Sequence, residues 1–307
     1  MIEDEKIKKT VEKLRIIRAK EDLNPPPCPI LNSHLPTGAE LKLRQYQVQG
    51  ILHLLAMPRF VLGDDTGLGK TLQTIAALSY VWQKNPNIPA IICTTKSAVG
   101  QWESEFDKFT TGVSVFKCLG TKKKREKIHK EFQLCEGPKA LIMGYRTAVM
   151  DFQLLQHMVG HVMVFDEATN FKNERSQVHQ VCKHLSGSAE KVWSLSATII
   201  KNRLMEAWAI YQVTVPGLFS NKTLFMREYC ITRDQAIKGS RRKIQIVVGH
   251  RKRDIKAFRE VIDPFFLGRP KHEKAVMILA VGHASKDATV PSVAKIKKPL
   301  DEILTLI

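Results

Sequence analysis

At 307 residues, with 44% hydrophobic and 25% charged side chains, the chain can bury one large core or one core with a small appendage, which excludes a disordered or fibrous protein. A formal charge of +18 and a pI near 9.7 favour a polyanionic partner, nucleic acid ahead of an anionic membrane. No apolar run approaches a membrane span and the N-terminus is unlike a signal peptide, so no membrane partner and a soluble, intracellular protein are expected. Six cysteines with no C-x-x-C pair read as reduced thiols, implying neither a zinc site nor a disulfide framework.

Residues 1–20 carry Ile7, Val11, Leu14 and Ile17 at helical spacing, and four prolines within residues 24–29 make an irregular connector, so residues 1–40 form an N-terminal helix and linker. A helix through Leu55 precedes the apolar run Phe60-Val61-Leu62, which predicts a short buried strand. Further strands are expected at residues 90–93, 113–118, 140–143, 162–165 and 192–195. Between them Trp102, Phe106 and Phe109 mark one face of a helix. Strands alternating with helices predict an α/β fold, a doubly wound, mostly parallel sheet with helices on both faces, over residues 41–215. Residues 216–269 read as a helical and basic extension, and residues 270–307 match no pattern.

The run Gly63-Asp64-Asp65-Thr66-Gly67-Leu68-Gly69-Lys70-Thr71, between a strand and a helix, has the order of a P-loop. Backbone N–H groups of Gly67, Leu68 and Gly69 would close around phosphate oxygens at a helix N-terminus. Lys70 would reach the β- and γ-phosphates of ATP, and the Thr71 hydroxyl would ligate Mg²⁺. The first position of G-x-x-x-x-G-K-[ST] is Asp64 instead of glycine. About a hundred residues on, the apolar strand 162–165 ends in Asp166-Glu167. Acidic residues at the carboxyl end of such a strand belong beside the P-loop, Asp166 to hold Mg²⁺ and Glu167 to activate the attacking water.

The positive charge is concentrated. Residues 221–275 hold fifteen Lys/Arg against six Asp/Glu, dominated by Arg241-Arg242-Lys243 and Arg251-Lys252-Arg253. That density suits a phosphate-contacting track. For Lys122-Lys123-Lys124-Arg125, a solvated helix face and a phosphate track weigh equally.

Taken in order, five segments resemble the Swi/Snf-type (switch/sucrose-nonfermenting) DNA translocases of helicase superfamily two. The resemblance spans residues 41–267 and implies the first of two RecA-like lobes. Leu43-Arg44-Gln45-Tyr46-Gln47 resembles the adenine-contacting segment, with Arg44 and Gln47 at the purine. Residues 62–71 resemble the family's P-loop, which also carries Asp where the general pattern has Gly. Ile91-Ile92-Cys93-Thr94-Thr95-Lys96-Ser97 with Gln101-Trp102 and Glu105 resembles the segment touching DNA phosphates through Lys96 and Ser97. Phe165-Asp166-Glu167-Ala168-Thr169-Asn170-Phe171-Lys172-Asn173 resembles the acidic box, whose trailing Lys172 and Asn173 would meet DNA. Leu195-Ser196-Ala197-Thr198, with Lys201-Asn202 and Glu206-Ala207-Trp208, resembles the segment coupling the ATP site to DNA.

The resemblance implies an ATPase that translocates on double-stranded DNA or remodels protein–DNA complexes. Lys70, Asp166 and Glu167 would be its catalytic residues, Ser196 and Thr198 would bond the acidic residues and sense the γ-phosphate, and Arg241, Arg242, Arg251 and Arg253 would grip the backbone. Two other readings stand beside it: a catalytically silent, ATP-gated DNA-binding module, and a strand-separating helicase or restriction-system motor. Tyr145 is either a DNA contact or a buried structural residue, and Trp102 and Trp208 are assigned to the core. Thr169 replaces a usual His, Ile199 a usual Pro, and of two expected arginines ending the lobe Arg269 alone remains. Family members hydrolyse ATP between two lobes, so a second RecA-like lobe is expected in trans. An interrupted or frame-shifted reading near Arg269 and a lone nucleotide-gated lobe remain open beside it.

Overall fold

The computed structural model describes residues 27–270 apart from 200–203 and 237–242, together with residues 10, 12, 14–16 and 25. Its elements run α1 (Gln45–Ala56), β1 (Arg59–Leu62), α2 (Lys70–Lys84), β2 (Ala90–Thr94), α3 (Val99–Phe109), β3 (Ser114–Lys117), α4 (Lys122–Leu134) and β4 (Lys139–Gly144). There follow α5 (Tyr145–Met150), α6 (Phe152–Leu155), β5 (Val162–Asp166), α7 (Gln177–Ser188), β6 (Lys191–Leu195), α8 (Leu204–Thr214) and α9 (Lys222–Tyr229). The last are β7 (Ile231–Ala236), β8 (Lys243–Gly249), α10 (Lys252–Ile262) and β9 (Phe266–Leu267).

Seven strands form one parallel sheet in the order β3-β4-β2-β5-β6-β1-β9. The central strands β2 and β5 are unbroken apolar runs, and every residue of β2 is buried, which requires cover on both faces. Parallel neighbours need crossover connections, and the amphipathic helices supply them. Trp102, Phe106 and Phe109 all lie buried along α3, as their spacing predicts.

Two features go beyond the sequence pattern. β9 adds to the sheet beside β1, Val61 opposite Phe266 and Leu62 opposite Leu267. β7 and β8 make a separate antiparallel pair. The basic extension is joined to the lobe by aromatic packing: Phe258 of α10 stacks on Phe219 at 5.5 Å and meets Tyr211 of α8 and Phe225 of α9 edge-on. Leu14 is buried in the main core, so the N-terminal segment is not wholly exposed.

The basic cluster on α4 divides. Lys122 pairs with Glu126 and Lys127 with Glu131 one turn on, a solvated face with internal partners. Arg125 instead turns inward, donating from Nε to Asp151 Oδ2 at 2.7 Å and from Nη2 to Oδ1 at 2.8 Å. Cys118 and His129 approach the same carboxylate. Burial pushes the Cys118 thiol up to about 12, so it stays protonated, and the guanidinium already neutralises Asp151. This group fastens α4 to the turn between α5 and α6 and to the end of β3.

His161, fully buried before β5, gives the fold an acid liability. Burial lowers its pKa from 6.5 to about 4. The unfolded chain therefore binds this proton first, and stability falls as pH drops from 6.5 toward 4. At pH 4.5 this group is expected to cost about 2–3 kcal/mol relative to pH 7. Urea unfolding at the two pH values should show a correspondingly smaller loss in His161→Leu.

Candidate functional site

β1 delivers the chain to the carboxyl edge of the sheet, where the loop before α2 turns through two left-handed glycines, Gly67 at φ 84° and Gly69 at φ 73°. Gly69 is the N-cap of α2, so the open N–H groups of that helix face the loop. A Cβ at Gly69 would lie 2.6 Å from Gln47 Nε2, so the loop packs directly against the start of α1. Gln47 Oε1 in turn accepts from the Arg44 backbone N–H at 3.0 Å. Lys70 Nζ donates to the Asp64 carbonyl at 2.7 Å. Burial lowers the Lys70 pKa, opposed by the charges of Glu167, Asp64, Asp166 and Asp65, which identifies these groups as one electrostatic cluster.

The acidic pair closes the cluster at the end of β5. Asp166 Oδ2 accepts from Thr94 Oγ1 and from Trp102 Nε1, both at 2.8 Å, and its backbone carbonyl accepts from the Tyr145 hydroxyl at 2.7 Å. Tyr145 is therefore a buried support for the strand end. Glu167 sits at φ 54°, the one non-glycine residue with positive φ among those described. Such a conformation is rare outside glycine and is held by its surroundings. Burial raises its carboxyl above the ordinary range, the Asp166 charge adds to this, and Lys70 partly opposes it. The raised affinity for a proton suits a general base.

The glycine cradle, an open helix N-terminus and a half-buried lysine fit the phosphates of a nucleotide. The hard oxygens of Asp166 and of Thr71, one residue into α2, fit Mg²⁺.

Asp64 has a definite occupation. It is fully buried and accepts from Arg269 Nε at 2.8 Å, from the Arg269 backbone N–H at 3.2 Å and from Gln73 Nε2 at 3.1 Å. Arg269 also donates to the Tyr46 carbonyl and lies over the Tyr46 ring. The arginine after β9 thus joins the first position of the P-loop to α1.

The residues that follow β2, β4, β5 and β6 lie at the same carboxyl edge. Lys96 and Ser97 lie exposed on a single 3-10 turn, Lys96–Ala98, between β2 and α3. Beside it a groove is lined by Thr95, Lys96, Arg146, Thr147 and Asn170. Arg146, exposed just past the end of β4, was missed in the sequence. Its signal was its place two residues past an apolar strand. Lys172 pairs with Glu206 of α8 at 3.1 Å. The Asn173 side chain accepts from the Arg175 N–H and shapes a turn. Ser196 is fully buried, its backbone N–H on the Leu62 carbonyl and its hydroxyl 3.4 Å from the Thr198 N–H. The hydroxyls of Ser196 and Thr198 have no bond to the acidic pair among the described residues. Arg251 and Arg253 are exposed at the start of α10, and Arg241 and Arg242 lie outside the described residues, as do Lys201 and Asn202. Trp208 donates to the Phe219 carbonyl at 3.1 Å and belongs to the core.

Comparison with known proteins agrees with this geometry. The chain is 34% identical over 189 residues to the ISWI chromatin-remodeling complex ATPase ISW2 of Saccharomyces cerevisiae, covering 60% of this chain and 17% of the yeast protein. It is 30% identical over 252 residues to Helicase domino of Drosophila melanogaster, covering 80% of this chain and 7% of the fly protein. Among solved structures, the Sulfolobus solfataricus SWI2/SNF2 ATPase core in complex with dsDNA superposes with a TM-score of 0.62 at 25% identity, over 83% of this chain and 48% of that one. The chain thus spans less than a fifth of these two curated relatives and about half of the solved core. The model of the SNF2-related domain matches residues 46–279, most of the sequence, and the chain belongs to that family.

Proposed function

We propose that this chain is the ATP-binding lobe of a DNA-dependent ATPase that translocates on double-stranded DNA or remodels protein–DNA complexes, its full turnover completed by a second RecA-like lobe. The observation that carries this is the clustering of Lys70, Asp166 and Glu167 at the carboxyl edge of one parallel sheet. Lys70 and the α2 N-terminus hold the phosphates, Gln47 and Arg44 stand at the purine, and Thr71 and Asp166 hold Mg²⁺. The metal, when bound, spreads the negative charge of the phosphates. Glu167 takes a proton from the attacking water. Lys96, Ser97, Arg146, Arg251 and Arg253, exposed along the lobe, contact phosphates without reading sequence. The dsDNA bound by the Sulfolobus core supports a duplex partner. Lys172 and Asn173, both exposed, join these contacts, Lys172 oriented by its pair with Glu206 and Asn173 by a local turn.

The test is steady-state ATP hydrolysis by the purified chain with and without duplex DNA, beside Lys70→Ala. DNA-stimulated turnover lost in the variant supports a working site. Tight Mg·ATP binding without turnover supports the binding lobe and its need for a second. Failure to bind Mg·ATP overturns the proposal.

A further inference from the structure

Of the four buried indoles, Trp193 has no hydrogen-bond partner among the described residues, and the other three set Trp102 apart. Trp82 donates to the Ile88 carbonyl and Trp208 to the Phe219 carbonyl, each satisfied by backbone close by in sequence. Trp102, 1% exposed, donates instead to the carboxylate of Asp166, 64 residues away. Thr94, the last residue of β2, places its hydroxyl on the same oxygen. Both donors converge on Oδ2, and among the described residues none reaches Oδ1.

The character of the donors matters as much as their number. The buried aspartates Asp64, Asp151 and Asp254 each accept from an arginine guanidinium that offsets their charge. Among the described residues, Asp166 accepts side-chain hydrogen bonds only from neutral N–H and O–H donors. An indole and a hydroxyl orient a carboxylate while leaving its negative charge available, which is what a cation-binding carboxylate requires of its supports. We propose that Trp102 and Thr94 are positioning residues that fix the Asp166 carboxylate with Oδ1 presented to Mg²⁺. This rests on the reading of Asp166 as a metal ligand.

The experiment measures Mg²⁺ dependence of binding, not turnover. The full chain is titrated with Mg²⁺ in the presence of a fluorescent ATP analogue that resists hydrolysis. Trp102→Phe keeps the ring packed against Phe106, 6.2 Å away, and removes the N–H donor. Thr94→Val keeps the shape and removes the hydroxyl, and it is informative even if the tryptophan variant folds poorly. Each is expected to raise the half-saturating Mg²⁺ concentration by about 10-fold, with metal-free nucleotide binding unchanged. Thr94→Ser should restore it. An unchanged Mg²⁺ requirement in both donor-removing variants, or a serine variant as impaired as the valine one, overturns the assignment. Asp166→Asn separates the two levels. If it leaves the Mg²⁺ requirement unaltered, the metal role of Asp166 fails. If it abolishes the requirement while Trp102→Phe and Thr94→Val do not change it, only the positioning role fails.

Discussion

Arg269→Ala is expected to lower the free energy of unfolding by about 3–5 kcal/mol, the cost of leaving a buried charge without its partner. Asp64 is fully enclosed, and the guanidinium supplies two of its acceptor contacts while also bonding the Tyr46 carbonyl and Gln73 Oε1. Asp64 itself is fully enclosed while the Arg269 side chain is 19% exposed, so the penalty falls chiefly on the carboxylate. Removing the charge as well should relieve it, and Asp64→Asn in the Arg269→Ala background is expected to recover part of the lost stability. Denaturant unfolding of the two variants beside the parent chain checks both statements. Because the Asp64 carbonyl also holds Lys70 Nζ at 2.7 Å, the alanine variant should weaken ATP binding in an equilibrium titration as well.

Glu167→Gln is expected to cut ATP turnover by about 10²- to 10⁴-fold while nucleotide affinity changes little. The substitution preserves size and hydrogen-bonding reach and deletes the proton acceptor together with its charge. The carboxyl is poised to accept a proton, because burial and the Asp166 charge raise its proton affinity while Lys70 restrains the rise. Single-turnover hydrolysis with a separate measurement of ATP binding distinguishes the outcomes. A module using ATP only as a conformational ligand would show no change in either quantity.

The parallel core was legible because its strands are buried on both faces. Residues 90–93 and 162–165 are unbroken apolar runs, and the structure places them side by side, Cys93 opposite Phe165. The P-loop and the acidic pair were legible because glycine spacing and a strand-terminal Asp-Glu carry their chemistry locally. β9 was not, since two residues of strand beside a proline carry no period, and only the sheet edge at β1 defines them. The β7–β8 pair alternates weakly and was absorbed into a basic tract. Asp64 read as a departure from a phosphate-binding pattern because its partner lies 205 residues away. Trp102 was assigned to the core on its spacing, correctly for its ring, while its N–H proved to serve the acidic box. Ser196 and Thr198 bond each other, which no spacing rule distinguishes from a bond to Glu167.

The bond between the beginning and the end of the lobe also sets a schedule for its synthesis. Asp64 leaves the ribosome 205 residues before Arg269, an interval of roughly 10–40 s at ordinary elongation rates of about 5–20 residues/s. Throughout that interval the outer edge of β1 has no strand to pair with and Asp64 has no counter-charge. Nascent chains therefore spend that interval without a contact on which the finished lobe relies for part of its stability.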